Sequence, residues 1–442
     1  MFNPGWPEAR ISSSFCTPHI IMYKPTGDVS PPGEVTCVSQ RRSRHIDLNG
    51  NDFEVPAFTM TDVRNAIPKH CFYRSTTRGL AYVLRDLYYL GLTTYCILTY
   101  TPLLANRLQR LVVYAFGTAL SGVIMTGIWI LAHECGHGAF SERKLVNNLV
   151  GLFLHSFLLV PYHSWRICHS QHHKSTSNLE KDNVFVPYTR DAWVKHNYGH
   201  DSDPHSIRFA HLTEDSPILT LYYCLLHQIL GWPAYMLVNM SGQQAKRGFP
   251  YGSHFYFGAQ STLFKEQELP MVLLSDLGVI AMLSLLALCS YMYGWWSVVV
   301  FYLIPYLWLN HWVVLITYLQ HTDARLPHYG NAQWTFARGA AATIDRDFGF
   351  IDTHFFHNIV STHVCHHMAS EIPFYHAKEA TVAIRKVMGR HYHVDNDTPL
   401  LKAFWITQRD CQFVEETHGA DGSGVFLYRN LHGRGASLRN LS

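Results

Sequence analysis

The chain has 442 residues, of which 48% are hydrophobic, 14% aromatic and only 15% charged, against the roughly 25% charged residues of ordinary globular proteins. A net charge of +3 with no domain-wide basic footprint sets nucleic acid aside as a partner. Ten cysteines scattered from Cys16 to Cys411, with no CxxC pair, exclude a disulfide framework and a zinc ribbon and fit a reducing compartment.

The first residues, MFNPGWPEAR, lack a basic region followed by an apolar stretch, so no cleaved secretory signal is expected. Residues 1–60 combine Pro, Gly and Ser with Arg41, Arg42 and Arg44 and show no sustained periodicity, as in a flexible cytosolic tail. Residues 87–106 and 111–132 are uncharged and each about the 20 residues that a spanning helix needs, which predicts a first transmembrane hairpin. Residues 277–319 are also uncharged but too long for one span, and a break near Tyr293 and Gly294 predicts a second hairpin. Residues 149–160 are short, contain His155 and precede Pro161; residues 216–240 are interrupted by Gly231, Trp232 and Pro233. Neither is expected to cross. Four crossings put the segments after Ala132 and Leu319 on one side, and Arg74, Arg78, Arg85, Arg143 and Lys144 assign that side to the cytosol. The expected fold is therefore all-α and integral to the membrane: four transmembrane helices in two hairpins under a cytosolic helical cap. Its domain is placed at 61–395, with a cytosolic C-terminal segment over 396–442.

Three histidine clusters fall on the assigned cytosolic side. They are HECGH at His133 and His137, HSQHH at His169, His172 and His173, and HVCHH at His363, His366 and His367. On a helix, positions i, i+3 and i+4 share a face, so each cluster is expected to aim its imidazoles at a common centre. Even with 29 histidines in the chain, two chance HxxHH matches are roughly a one-in-a-hundred event. His321, just after the fourth predicted helix, emerges at the same level and completes a set of nine. Nine imidazoles exceed what one metal takes, so two metals follow; imidazole suits iron, copper and zinc alike. Cys135, Cys168 and Cys365 read as small packing residues. His155, His163, His227 and His311 lie in apolar context and read as packed or interfacial histidines. HECGH also fits HExxH, in which Glu134 would activate water on a zinc, but a protease would leave both HxxHH clusters unexplained. A metal transporter would place its histidines within the spans rather than after them. Glu134, Asp182, Asp345 and Asp347 are candidates to hold ligand rings in one tautomer.

The segments HECGHGAFS, LHSFLLVPYHSWRICHSQHHKSTSNLEKDNVFVP, TYLQHTD, GAAATIDRDFGF and HVCHHMASEIPFYHAKEAT, in that order, resemble those of membrane fatty acid desaturases of the fungal and plant delta-12/omega-3 branch. The resemblance covers roughly residues 58–430. It implies a non-haem diiron centre with His133, His137, His169, His172, His173, His363, His366 and His367 as ligands, and His321 less securely. It also implies O2 as co-substrate, a fatty-acyl lipid as substrate, and electrons from NAD(P)H through a reductase and a separate cytochrome b5, since the chain lacks an HPGG haem motif. Location in the endoplasmic reticulum follows from the family alone. An oleoyl phospholipid converted to linoleoyl is the favoured reaction, with Ala132 before HECGH fitting desaturation; omega-3 desaturation, acetylenation, conjugation and hydroxylation would use the same boxes. Trp165, Phe185, Tyr318 and Phe348 are candidates to line a narrow acyl channel.

Overall fold

The computed structural model describes residues 45–46, 52–198, 216–417 and 423–435; most of the expected flexible tail lies outside them. After a short β1–β2 ladder (His45–Ile46 with Asp52–Phe53), helix α1 (Met60–Ala66) starts in a capping box between Thr59 and Asp62. Helix α2 (Thr76–Tyr100) follows, capped by Ser75, and a turn through Pro102 leads into α3 (Arg107–His137). Thus the first predicted span is displaced: the helix begins eleven residues before residue 87 and ends at Tyr100. Its early turns hold charge because that charge is internally neutralised. Arg85 pairs with the buried Asp86, and His357 reaches the same carboxylate at 2.9 Å.

Helix α3 is the hub. It packs against α2, against α4 (Lys144–Phe157) and α5 (Tyr162–Ser175), and most extensively against α9 (Trp295–His321). Small residues let neighbours approach α3 closely: a Cβ on Gly122 would lie 2.2 Å from Trp308 Cβ of α9, and one on Gly127 would lie 2.4 Å from the carbonyl oxygen of Phe355, outside α9. Between α4 and α5 the chain bends by 109°, so the pair does not continue as a straight span.

Beyond α6 (Arg190–Tyr198), α7 (Pro217–Val238) is one helix that runs through Pro233, so the expected interruption of residues 216–240 does not occur. Helix α8 (Leu269–Tyr293) ends at Gly294, whose φ of 82° is accessible to glycine without a Cβ clash. The predicted break is there, but the two helices part beyond it: α8 packs mainly on α4 and α5, α9 on α3 and α7.

Among the described residues, three helices are long and apolar enough to cross a membrane: α3, α8 with its preceding turn, and α9. A fourth is added if the bent α4–α5 pair counts as one span. Helix α2 is not among them, because Arg85, Asp86 and its tyrosines dilute its apolar content. Its outer face is nonetheless apolar: Leu84, Tyr88, Leu92, Tyr95 and Leu98 are exposed, and so are Leu108, Leu111, Val112 and Phe116 on α3. Such a belt has no favourable place in water.

The remaining described residues form short elements, and they are not all-α. Strand β3 (His328–Tyr329) joins β7 (Val425–Arg429) and β6 (Phe413–Glu416) in an antiparallel sheet; β4 (Ile344–Arg346) and β5 (His393–Asp395) pair in parallel. Helices α10 (Phe336–Ala341), α11 (Phe350–His354), α12 (His363–Met368), α13 (Phe374–Met388) and α14 (Leu400–Asp410) complete it. Residues 396–417 and 423–435 are built into the same body, since β7 pairs with β3 and α14 packs on α7.

The close approach at α3 is testable. Gly127→Ala is expected to cost about 1–3 kcal/mol, as overpacking does, whereas Gly91→Ala on α2, with nothing within 4 Å, costs nothing. Thermal unfolding in detergent reads both; equal melting temperatures would contradict the packing.

Candidate metal centre

The first box occupies the last turns of α3, the second lies in the C-terminal half of α5, the third forms α12, and His321 is the last residue of α9. The first box and His321 therefore end their helices, whereas the sequence had suggested that they follow them. All nine predicted histidines come together, and they divide into two groups. The ring nitrogens of His133, His137, His169, His173 and His366 lie within 4.8 Å of one another, and so do those of His172, His321 and His367. His363 joins the second group, its Nε2 being 2.9 Å from His321 Nε2.

This division corrects the expectation that each box aims at one centre. Pairs at i and i+4 stay together: His133 with His137, His169 with His173, and His363 with His367. The i+3 members, His172 and His366, cross to the other group. Adjacent residues on a helix diverge by about 100°, so an HH pair necessarily faces two ways. The two HxxHH helices thereby tie both groups together, and the rings of His173 and His367 stack at 4.0 Å.

The spacing of the nitrogens shows what belongs between them. Within the first group, Nε2 atoms stand 3.0 Å apart for His133 and His169, and 3.2 Å apart for both His169–His173 and His173–His366. His172 and His321 are separated by 3.4 Å. Two imidazoles held at about 2.1 Å from one metal stand about 3.0 Å apart in octahedral geometry and about 3.4 Å in tetrahedral geometry. His137 Nε2 and His367 Nε2 are buried without a protein partner among the described residues. Burial first, and neighbouring imidazoles second, hold His169, His173, His363, His366 and His367 well below the usual histidine pKa. They are neutral donors at neutral pH, the form that binds a metal.

Outer groups hold these rings. His172 Nδ1 lies 2.8 Å from Asp182, whose carboxylate also accepts the backbone N–H groups of Ser177, Asn183 and Val184. His367 Nδ1 lies 3.2 Å from Thr176 Oγ1, a partner the sequence does not single out. Asp345 acts on the backbone instead of a ring: it accepts Val364 N–H at 2.8 Å and the Tyr392 hydroxyl, and its own burial raises its pKa to about 7. Asp347 takes Gly349 N–H and reaches no histidine. Glu134 accepts Phe374 N–H at 3.0 Å, fixing the start of α13, and its other oxygen lies 4.0 Å from His133 Nδ1. Cys135, Cys168 and Cys365 are buried and join neither group. Arg346 bridges Asp323 and Asp395 while donating to the Leu319 carbonyl, which locks the end of α9 to β4 beneath His321.

A cavity of about 470 Å³ opens beside His169, His172 and His321. Trp129, Trp165, Phe185, Trp232, Tyr235, Val313, Val314 and Tyr318 are in its wall, and Tyr188, Arg247, Gln408 and Gln412 are among its polar members. Trp165 stacks on His169 at 4.5 Å and Phe185 on His321 at 5.9 Å, so the aromatic wall touches the histidine rings directly. Three of the four expected lining residues are present. Phe348 is not; it packs beside Trp312. His227, which the sequence placed as a packed histidine, lines this wall and lies edge-on to Tyr318.

The sequence model of the family described as fatty acid desaturase matches residues 110–399, and a domain of unknown function matches residues 27–93. A Delta(12) fatty acid desaturase of Mortierella alpina is 44% identical over 83% of this chain and 90% of its own length. An oleate hydroxylase of Claviceps purpurea is 42% identical over 87% of this chain and 83% of that protein. An omega-6 fatty acid desaturase of the endoplasmic reticulum from Brassica juncea is 38% identical, covering 89% and 97% respectively.

Replacing Asp182 by Ala is expected to weaken metal retention about 10- to 100-fold through loss of the fixed His172 ring, while Asp347→Ala leaves it unchanged. Metal per chain, measured by mass spectrometry after dialysis against graded chelator, separates the two; identical retention would show that the Asp182 contact does not hold the ring for a metal.

Proposed function

The chain belongs to the fatty acid desaturase family and is an oxidoreductase acting on fatty-acyl chains; from that premise, we propose that it inserts a cis double bond at the delta-12 position of an oleoyl lipid, giving linoleoyl. The observation that supports this most is the apolar, aromatic-walled cavity lying directly against both histidine groups.

The nine histidines would hold two irons, five ligands on one and four on the other, as the nitrogen spacings allow. When bound, the metals supply the oxidising power toward an unactivated C–H bond that no acid, base or nucleophile in the chain could provide. The reaction removes two hydrogens from adjacent methylenes, and O2 with two electrons and two protons becomes two waters. Electrons would come from NAD(P)H through a reductase and a separate cytochrome b5.

The protein's part is position and dryness. Trp129, Trp165, Trp232 and Phe185 exclude water and confine the acyl chain, so that one carbon pair stays beside His169, His172 and His321 while others are held away. Selectivity then rests on the length of wall between the polar members and the metals. In the membrane, α2, α3, α8 and α9 would form four crossings with the histidine groups on the cytosolic face of the endoplasmic reticulum.

Hydroxylation of the same chain is the second reading, because a relative at 42% identity carries that name. Both reactions need the same donors and the same substrate placement; they differ in whether oxygen is retained in the product.

Expression in desaturase-deficient yeast, with double bonds located by mass spectrometry, is expected to yield linoleate. The variant with His172 and His173 changed to Ala should yield none. Ricinoleate-type hydroxy acids would establish the second reading, and a trienoic product would move the position of attack toward omega-3.

A further inference from the structure

Among the described residues, one further cluster of metal-binding side chains lies outside both the histidine boxes and the acyl cavity. His70 and Cys71 lie on a short 3-10 helix, Lys69–Phe72, just before α2. His376 and Glu379 lie at i and i+3 on α13, and so share a face of that helix. One donor atom from each of the four lies within 4.8 Å of all the others.

The contacts converge on His70 Nε2. Glu379 Oε2 is 2.9 Å from it and Cys71 Sγ is 3.8 Å from it; the rings of His70 and His376 meet edge-on at 5.7 Å. Cys71 is fully buried, whereas the side chains of His70 and Glu379 are each about half exposed at 51%. A cation could therefore enter from solvent and meet the thiol on the inner side. Tetrahedral zinc, at about 2.3 Å from sulfur and about 2.0–2.1 Å from nitrogen, places its donors about 3.3–3.6 Å apart, within small side-chain adjustments of these separations. Two imidazoles, a thiolate and a carboxylate form a zinc-type donor set, and the two anions balance a divalent charge.

We propose that His70, Cys71, His376 and Glu379 form a second metal site, taking one zinc-type divalent cation, separate from the nine-histidine centre. Its consequence is mechanical. Cys71 packs in one cluster with Val364, Cys365 and Met368 of the third box helix, so a metal there clamps the segment before α2 onto α13, which packs against the helix that presents His363, His366 and His367. Binding expels the Cys71 proton to solvent and changes no oxidation state.

The test is a Co2+ titration of the purified full chain in detergent, read by the near-ultraviolet sulfur-to-cobalt band. The nine-histidine centre, with nitrogen ligands alone, cannot produce that band. The expected result is one equivalent of thiolate-bound Co2+ per chain, absent in Cys71→Ser and weakened at least tenfold in His376→Ala and in the solvent-facing Glu379→Gln. No sulfur band in the native chain, or a band that survives in Cys71→Ser, overturns the proposal. Should Cys71→Ser fail to fold, the Glu379→Gln affinity decides: unchanged Co2+ binding there rejects the site.

Discussion

Nine imidazoles gathered in the interior, five pairs of them with ε-nitrogens only 2.9–3.4 Å apart, form the constraint on which the rest of this molecule depends. Lone pairs brought that close, away from water, repel unless a proton or a cation lies between them. Burial works against protonation here, because it disfavours the charged ring. A metal cation therefore satisfies the cluster better than protons do, and the surrounding structure is arranged to keep the donors in place until one is bound.

That arrangement uses rigid ends of long elements. The first box and His321 terminate α3 and α9, the most extensively packed helix pair, whose contact is made close by Gly122. The second box returns to the same point only because the chain bends by 109° between α4 and α5. Arg346, bound to Asp323, Asp395 and the Leu319 carbonyl, closes the end of α9, while Asp345 grips the backbone of the third box. Each of these polar groups is buried and paired, so its desolvation cost is offset locally. The aromatic wall stacked on His169 and His321 extends the dry environment outward to the cavity.

Much of this was legible in the chain. Spacing within the three boxes identified eight of the nine histidines that the structure gathers, since helical periodicity is local and needs no knowledge of partners, and the ninth, His321, was picked out by its place after the fourth predicted helix. The break at Gly294 was legible for the same reason. Other features were not: Asp86 and Arg85 look unfavourable for a membrane helix until His357, more than two hundred residues away, completes the pair. Pro233 reads as a breaker, yet α7 runs through it. Thr176, Trp129 and Trp232 carry no motif, and their roles exist only through neighbours brought from distant segments.

By itself, then, the sequence determined the ligand chemistry, the apolar helices and the family resemblance, because these depend on residue type and on spacing within one or two turns. Tertiary structure alone decided how the nine rings divide, with His172 and His366 crossing between groups, since that depends on how three box helices meet. It likewise decided that α8 and α9 part after Gly294 and that the C-terminal strands fold onto β3. The physical reason is the same in each case: burial and pairing are properties of surfaces that meet, and a linear pattern fixes the surfaces without fixing which of them meet.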